Sequence, residues 1–306
     1  MQQPLLHPIA LILLPLNGTP TGAAALELGL QLARRFAAHL DALHVGSDSR
    51  EVAPLAGEGL SGALVEEMIG AAERESGRRL RTMRSLFDRV MAEEAAAGRP
   101  VATLDRERLS DPATPPVEGA TAGFRAVAGR EHERVAFAAR LSDLIVVPHA
   151  DSGDEVSSSE ALHAVLFDSG RPVIIAPKRV AATVGRRIAI GWNGTAESAS
   201  AVMSILPWLQ HADAVEVLHS PEYQRQGPSA EELVAYLAIH GVRATTRQFA
   251  SVDREVGAGL LAAAGSFGAD LLCMGAYSHS RLRQLILGGV TRHVLEAATL
   301  PVLMAR

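Results

Sequence analysis

Four short apolar patterns occur twice in this chain, in the same order, and no other feature limits its fold as much. Ile9-Ala-Leu-Ile-Leu-Leu-Pro-Leu-Asn17-Gly18-Thr19 returns as Ile188-Ala-Ile-Gly-Trp-Asn193-Gly194-Thr195. Leu40-Asp-Ala-Leu-His44 returns as Val215-Glu-Val-Leu-His219. Asp143-Leu-Ile-Val-Val-Pro148 returns as Asp270-Leu-Leu-Cys-Met-Gly275, and Pro172-Val-Ile-Ile-Ala-Pro177 as Pro301-Val-Leu-Met-Ala-Arg306. Two copies mean a duplicated domain, because a solenoid needs more stacked units than that. The separation is 176 residues for the first pair (17 to 193) and 129 for the last (172 to 301), so the first copy carries about 47 extra residues, within 48–120. The expected domains are 1–180, with that insertion, and 185–306.

Within the second copy, apolar runs alternate with helical patterns. Strands are expected at Arg187–Gly191, Ala214–His219, Val242–Phe249, Leu271–Met274 and Val302–Ala305. Helices are expected at Ala196–Leu209, Ser229–His240, Asp253–Phe267 and Gly289–Ala297. Such alternation makes right-handed βαβ crossovers and a buried parallel sheet, an α/β fold. In the insertion, Val65, Ile69, Ala72, Leu80, Met83, Phe87 and Val90 form one helical stripe between charged residues. The stretch from Gly98 to Thr121, rich in Pro, Ala and Thr, reads as loop.

The stretch Met274-Gly275-Ala-Tyr-Ser278-His279-Ser280-Arg281-Leu-Arg283-Gln-Leu-Ile-Leu-Gly288-Gly289-Val290-Thr291 runs from a strand end to a helix start. Open parallel sheets bind ligands there. Glycines let a backbone approach an anion, and amides at a helix N-terminus favour phosphate. Ser278, Ser280 and Thr291 add hydroxyls, Arg281 and Arg283 charge. Read physically, it is a phosphate-binding loop; the plainer reading is a surface loop before a Gly-rich helix start.

This stretch resembles the universal stress protein signature, Gly-x2-Gly-x9-Gly-Ser/Thr, with Gly275 and Gly288 in place of its first and third glycines. Ser278 stands where the signature has glycine, and Gly289 where it has Ser or Thr. Asn17 and Asn193 stand where ATP-binding members have aspartate. The resemblance extends over both copies. It implies two tandem five-stranded parallel sheets with helices on both faces, the adenine-nucleotide alpha-hydrolase-like architecture. It also implies that the two copies pair within the chain as single-domain members dimerise, leaving a monomer or a homodimer. The implied ligand is an adenine nucleotide such as ATP, with Mg, held in the second copy by Asn193, Gly194, Thr195, Gly275, Ser278, His279, Ser280, Gly288, Gly289, Val290 and Thr291. The implied role is stress-linked regulation without turnover. Alternatives are an interaction scaffold with a degenerate anion loop and a slow nucleotide hydrolase. In the first copy the matching loop, His149-Ala-Asp151-Ser-Gly153-Asp154-Glu155, is acidic and would repel phosphate.

Composition excludes other classes. Net charge is −5 and aromatics are 4%, against nucleic-acid binding by charge or by stacking. Lys178 is the one lysine among 29 basic residues and follows no glycine-rich loop, so a P-loop is absent. One cysteine, Cys273, rules out an internal disulfide and a Cys-cluster zinc site; it reads as a small buried hydrophobe. No apolar run is long enough to span a membrane, and the expected location is the cytoplasm.

No catalytic or metal-binding residue is expected. Gly257-Ala-Gly259-Leu-Leu-Ala262 fits a dinucleotide pattern but lies within a helix, where small residues serve close packing. Arg130-Glu-His132-Glu-Arg134 reads as a charged helix face, His44 and His219 as structural histidines, and His149, Asp151 and Asp154 as a solvated loop.

Overall fold

The computed structural model describes residues 9–18, 20–47, 62–109, 111, 118–149, 157–276 and 289–306. They divide into two compact units, Ile9–Ser169 and Gly170–Arg306.

The first unit contains β1 (Leu11–Pro15), α1 (Gly22–Phe36), β2 (His39–Gly46), α2 (Gly62–Ala96), β3 (Ala102–Thr103), α3 (Arg106–Leu109), β4 (Thr121–Ala128), α4 (Glu131–Ala139), β5 (Leu144–Val147) and α5 (Ser157–Asp168). Its strand order is β3-β4-β2-β1-β5, all parallel. Consecutive residues of β1, β2 and β5 are buried, so both faces of those strands are covered.

The second unit contains β6 (Val173–Ile175), β7 (Arg187–Gly191), α6 (Ala196–Leu209), β8 (Ala214–His219), α7 (Ala230–Ile239), β9 (Ala244–Gln248), α8 (Val256–Phe267), β10 (Leu271–Gly275), α9 (Gly289–Ala297) and β11 (Val302–Ala305). Its order is β6-β11-β10-β7-β8-β9. Every neighbouring pair here is parallel except β6 and β11.

The expectation of two separate sheets of five parallel strands is therefore not met. The repeat pattern makes 172–177 the last strand of the first copy. Its strand β6 instead runs antiparallel to β11, with Val173 opposite Met304 and Ile175 opposite Val302, giving the second unit six strands. A short apolar run carries no information about direction, so this pairing was invisible in the sequence. The first unit's fifth strand is β3, from the insertion.

Equivalent contacts order the two units. The Asp143 carboxylate accepts the amides of Ala10 and Leu11, at 2.9 and 3.0 Å. The Asp270 carboxylate accepts those of Arg186 and Arg187, at 3.1 and 2.8 Å. Each aspartate thus ties the start of one strand to the start of its neighbour.

The insertion holds two features that its sequence does not show. Only the second half of the α2 stripe is core: Met83, Phe87, Val90 and, unexpectedly, Glu94 are buried. Val65, Ile69 and Ala72 are half-buried and Leu80 is exposed. Glu94 tolerates burial because Arg34 and Arg99 both reach it at 2.7 Å. The segment read as loop holds β3 and the single turn α3, elements too short to leave a periodic pattern.

Candidate functional site

In the second unit the chain moves outward through β7, β8 and β9, then returns to build β10 and β11 on the other side of β7. The order reverses between β7 and β10, and the carboxyl ends of those strands are where such a sheet takes a ligand. Trp192–Thr195 leave β7, and Gly275–Ala276 leave β10.

The turn after β7 is built by its own side chains. Asn193 Oδ1 accepts from Thr195 N and Thr195 Oγ1, at 3.2 and 3.0 Å. Gly194 sits at φ +81, a conformation that favours glycine. Thr195 caps α6, its Oγ1 accepting from Ser198 N at 3.3 Å, and Ser198 Oγ donates to the Thr195 carbonyl at 2.8 Å. A second layer pins this turn: Arg225 N donates to the Asn193 carbonyl at 2.8 Å, and Trp192 Nε1 to the Pro228 carbonyl at 2.9 Å. Gly227 lies so close to the Gly194 carbonyl that no side chain fits there. Tyr223 anchors the covering loop against Phe249, with ring centroids 6.1 Å apart, and burial pushes its hydroxyl pKa upward.

Gly275 joins this turn to β10. A Cβ there would stand 2.5 Å from Ser198 N, so only glycine lets the first turn of α6 abut the strand end. Of the residues expected to hold a ligand, Asn193, Gly194, Thr195 and Gly275 therefore converge, with Asn193 and Gly194 buried. Gly289, Val290 and Thr291 form the first turn of α9. No described atom lies within 4 Å of where a Gly289 Cβ would be, and Thr291 is buried. Ser278, His279, Ser280 and Gly288 lie outside the described residues, as do Arg281 and Arg283.

The two helix N-termini differ. That of α6 is already served by the Thr195 cap and by Glu197 in its first turn. That of α9 has no acid in its first turn.

The first-unit counterpart is held differently. Gly18, at φ +92, has Met83 Cε 3.4 Å from where its Cβ would be, and Asn17 Oδ1 is buried without a partner among the described residues. Thr21 Oγ1 donates to the His149 carbonyl at 2.7 Å, closing α1 onto the end of β5. Asp151 and Asp154 lie outside the described residues.

His44 is structural, with Nδ1 2.9 Å from the Leu16 carbonyl. The Gly257–Gly259 segment is a packing site, since a Gly257 Cβ would meet His293 Cβ at 2.8 Å and Gly259 abuts Ala250. Arg130 and Glu133 pair on an exposed helix face. Cys273 is fully buried, and that burial pushes its thiol pKa upward.

Sequence reasoning missed one recurring pair. Buried Asp41 on β2 receives a two-pronged contact from Arg125 of β4, at 2.9–3.0 Å, and one from Arg106 at 3.1 Å. At the matching place, buried Glu216 on β8 stands 2.8 Å from Arg247 Nε of β9, without hydrogen-bond geometry. The signal was available: an acid occupies the second position of both Leu-Asp-Ala-Leu-His and Val-Glu-Val-Leu-His.

Residues 187–306 match the universal stress protein family. Among solved structures, a universal stress protein from Archaeoglobus fulgidus aligns over 97% of this chain and 96% of its own, at 14% identity and a TM-score of 0.66. Universal stress protein UspA from Lactobacillus plantarum aligns over 56% of this chain and 99% of its own, at 18% identity and a TM-score of 0.37. A protein of the family from Burkholderia pseudomallei aligns over 55% and 96%, at 22% identity and a TM-score of 0.31. No curated protein sequence matches. The second unit carries a universal stress protein domain, and the Archaeoglobus likeness extends the fold over nearly the whole chain. Among the described residues, no helix is long and apolar enough to cross a membrane.

Proposed function

We propose that this chain is a tandem universal stress protein of the cytoplasm, a stress-linked regulator that holds one adenine nucleotide such as ATP, with Mg, in its second unit. The observation that carries this reading is the first turn of α9, where no described atom lies within 4 Å of where a Gly289 Cβ would be and the turn itself holds no acid. Phosphate oxygens suit such a turn, which offers unpaired amides and a partial positive charge. Gly275 and the Thr195 turn stand at the carboxyl ends of β10 and β7, the switch point of the sheet. Asn193 carries no charge and its Oδ1 is engaged by Thr195, so it serves as a scaffold of the turn and not as a general base. Binding without turnover follows from that role.

Equilibrium binding of ATP to wild type and to Gly289→Asp tests this. Aspartate suits a first helical turn and meets no described atom, so the variant should keep its thermal midpoint. It should lose nucleotide affinity by about tenfold or more, equivalent to about 1.4 kcal/mol. Wild type that fails to bind at about millimolar ATP, a free energy of about −4 kcal/mol, would remove the nucleotide and leave an interaction scaffold. Phosphate release over hours, lost in the same variant, would make the protein a slow hydrolase.

A further inference from the structure

β4 in the first unit and β9 in the second occupy matching positions, next to β2 and β8. Thr121–Phe124 of β4 are buried, whereas Thr245–Gln248 of β9 are exposed. The insertion accounts for this difference, because β3 and α3 lie along the outer edge of β4. Ala102 pairs with Thr121, and Leu104 N donates to the Ala122 carbonyl at 2.9 Å. At Gly123 the missing side chain admits the Leu104 carbonyl, 2.5 Å from where a Cβ would be. His39 Cε1 stands 3.4 Å from the same point. The imidazole edge and the covering segment therefore meet over one glycine.

His39 is buried at the start of β2. Its Nδ1 lies 2.8 Å from Thr121 Oγ1, and its Nε2 is buried with no partner among the described residues. From its own strand it is faced by Asp41, from β4 by Thr121, and from the covering segment by Asp105 and Arg106. From β1 comes the Ala10 carbonyl, which accepts the His39 amide at 2.8 Å. A neutral ring with its proton on Nδ1 leaves only a lone pair unserved. A protonated ring places an N–H donor and a charge at Nε2, where nothing accepts them, and leaving a buried donor unserved is costly. Among the described contacts the segment is held by a two-residue ladder, the Leu104 amide and the Arg106–Asp41 clasp, against the eight paired residues of β2 and β4 behind it, so it is the element that gives way.

We propose that segment 101–109 is an acid-released strap: protonation of His39 frees it from the edge of β4 and leaves the sheet behind it folded. Burial is the largest influence on the ring and lowers its pKa from 6.5; Arg106 lowers it further, while Asp41 and Asp105 oppose. The sign follows. The opened form takes up the proton more readily than the closed one, so the strap is fully held above about 6.5 and loses its hold as pH falls below that value.

Amide exchange of the full chain from about pH 7.5 to 5, corrected for intrinsic rates, tests this. In wild type, opening at 101–109 and at Thr121–Gly123 should rise by up to about tenfold per pH unit below about 6.5. Exchange in β10 should stay level. His39→Gln keeps a donor for Thr121 and should show no such rise, whereas Arg106→Gln should open the strap throughout. Constant opening in wild type, or an unchanged rise in His39→Gln, would overturn the proposal. Should His39→Gln fail to fold, the titration of the wild-type His39 ring by NMR decides. A midpoint below about 6.5 that tracks strap opening supports the proposal, and one at or above that value refutes it.

Discussion

In the second unit the Asn-Gly-Thr turn is buried, its amide oxygen is satisfied twice by Thr195, and its backbone is pinned by Arg225 and Trp192. In the first unit Asn17 Oδ1 is buried without a partner among the described residues, and Gly18 is exposed beside the end of Met83. Similar residues at equivalent strand ends thus meet different described contacts. Backbone hydrogen bonds from a short connector fix the Asn193 turn in place.

The same contrast runs the other way at the sheet edge. The first unit invests its insertion in covering β4 and in binding Asp41 to two arginines, while Glu216 has one, on exposed β9. Asp41→Ala should therefore be the most damaging change, costing about 3–5 kcal/mol in chemical denaturation. Glu216→Ala should cost about 1 kcal/mol, since Arg247 is partly solvated. Equal losses would break the comparison.

Gly275→Val comes next. It pushes a side chain into Ser198 and Glu197 at the start of α6 and should cost about 2–3 kcal/mol. It should also abolish nucleotide binding, whereas the exposed Gly18→Asn, tolerant of a positive φ, should leave binding alone. Smaller again is the turn itself. Asn193→Ala removes two hydrogen bonds and should lower stability by about 1 kcal/mol, while Asn17→Ala removes an unserved acceptor and should be neutral or mildly stabilising.

The smallest effect concerns the hold on α2. The Arg99 hydrogen bond is the main cause that lowers the Glu94 pKa below 4.5, with Arg34 assisting against the effect of burial. That stabilisation is present above about 4.5 and is lost as pH falls through the folded value. Acid unfolding followed by exchange should free α2 before the second unit, and Glu94→Gln should flatten this dependence.

Much of the second unit was legible in the sequence. The bounds of α6, β8, α9 and β11 coincide with the expected ones, because caps such as Thr195 and regular apolar spacing mark them. The strand count was not legible. Pro172–Pro177 reads as a strand in either copy, and only tertiary contact decides that β6 lies antiparallel to β11. How much of the α2 stripe is core was not legible, since periodicity shows a potential face and not where its partner surface ends. That Gly275 and the Asn193 turn come together was legible from their glycines and strand-end placement. The pinning loop at 220–229 was not, because its contacts are mostly backbone and leave no residue signature.

Amide resonances of the full chain during an ATP titration test the central claim most directly, since they report both turns at once. The account predicts saturable shifts at Thr195, Gly275 and Gly289–Thr291, with Asn17, Gly18 and Thr21 unmoved. Shifts centred on the Asn17 turn, or none anywhere at millimolar ATP, would contradict it.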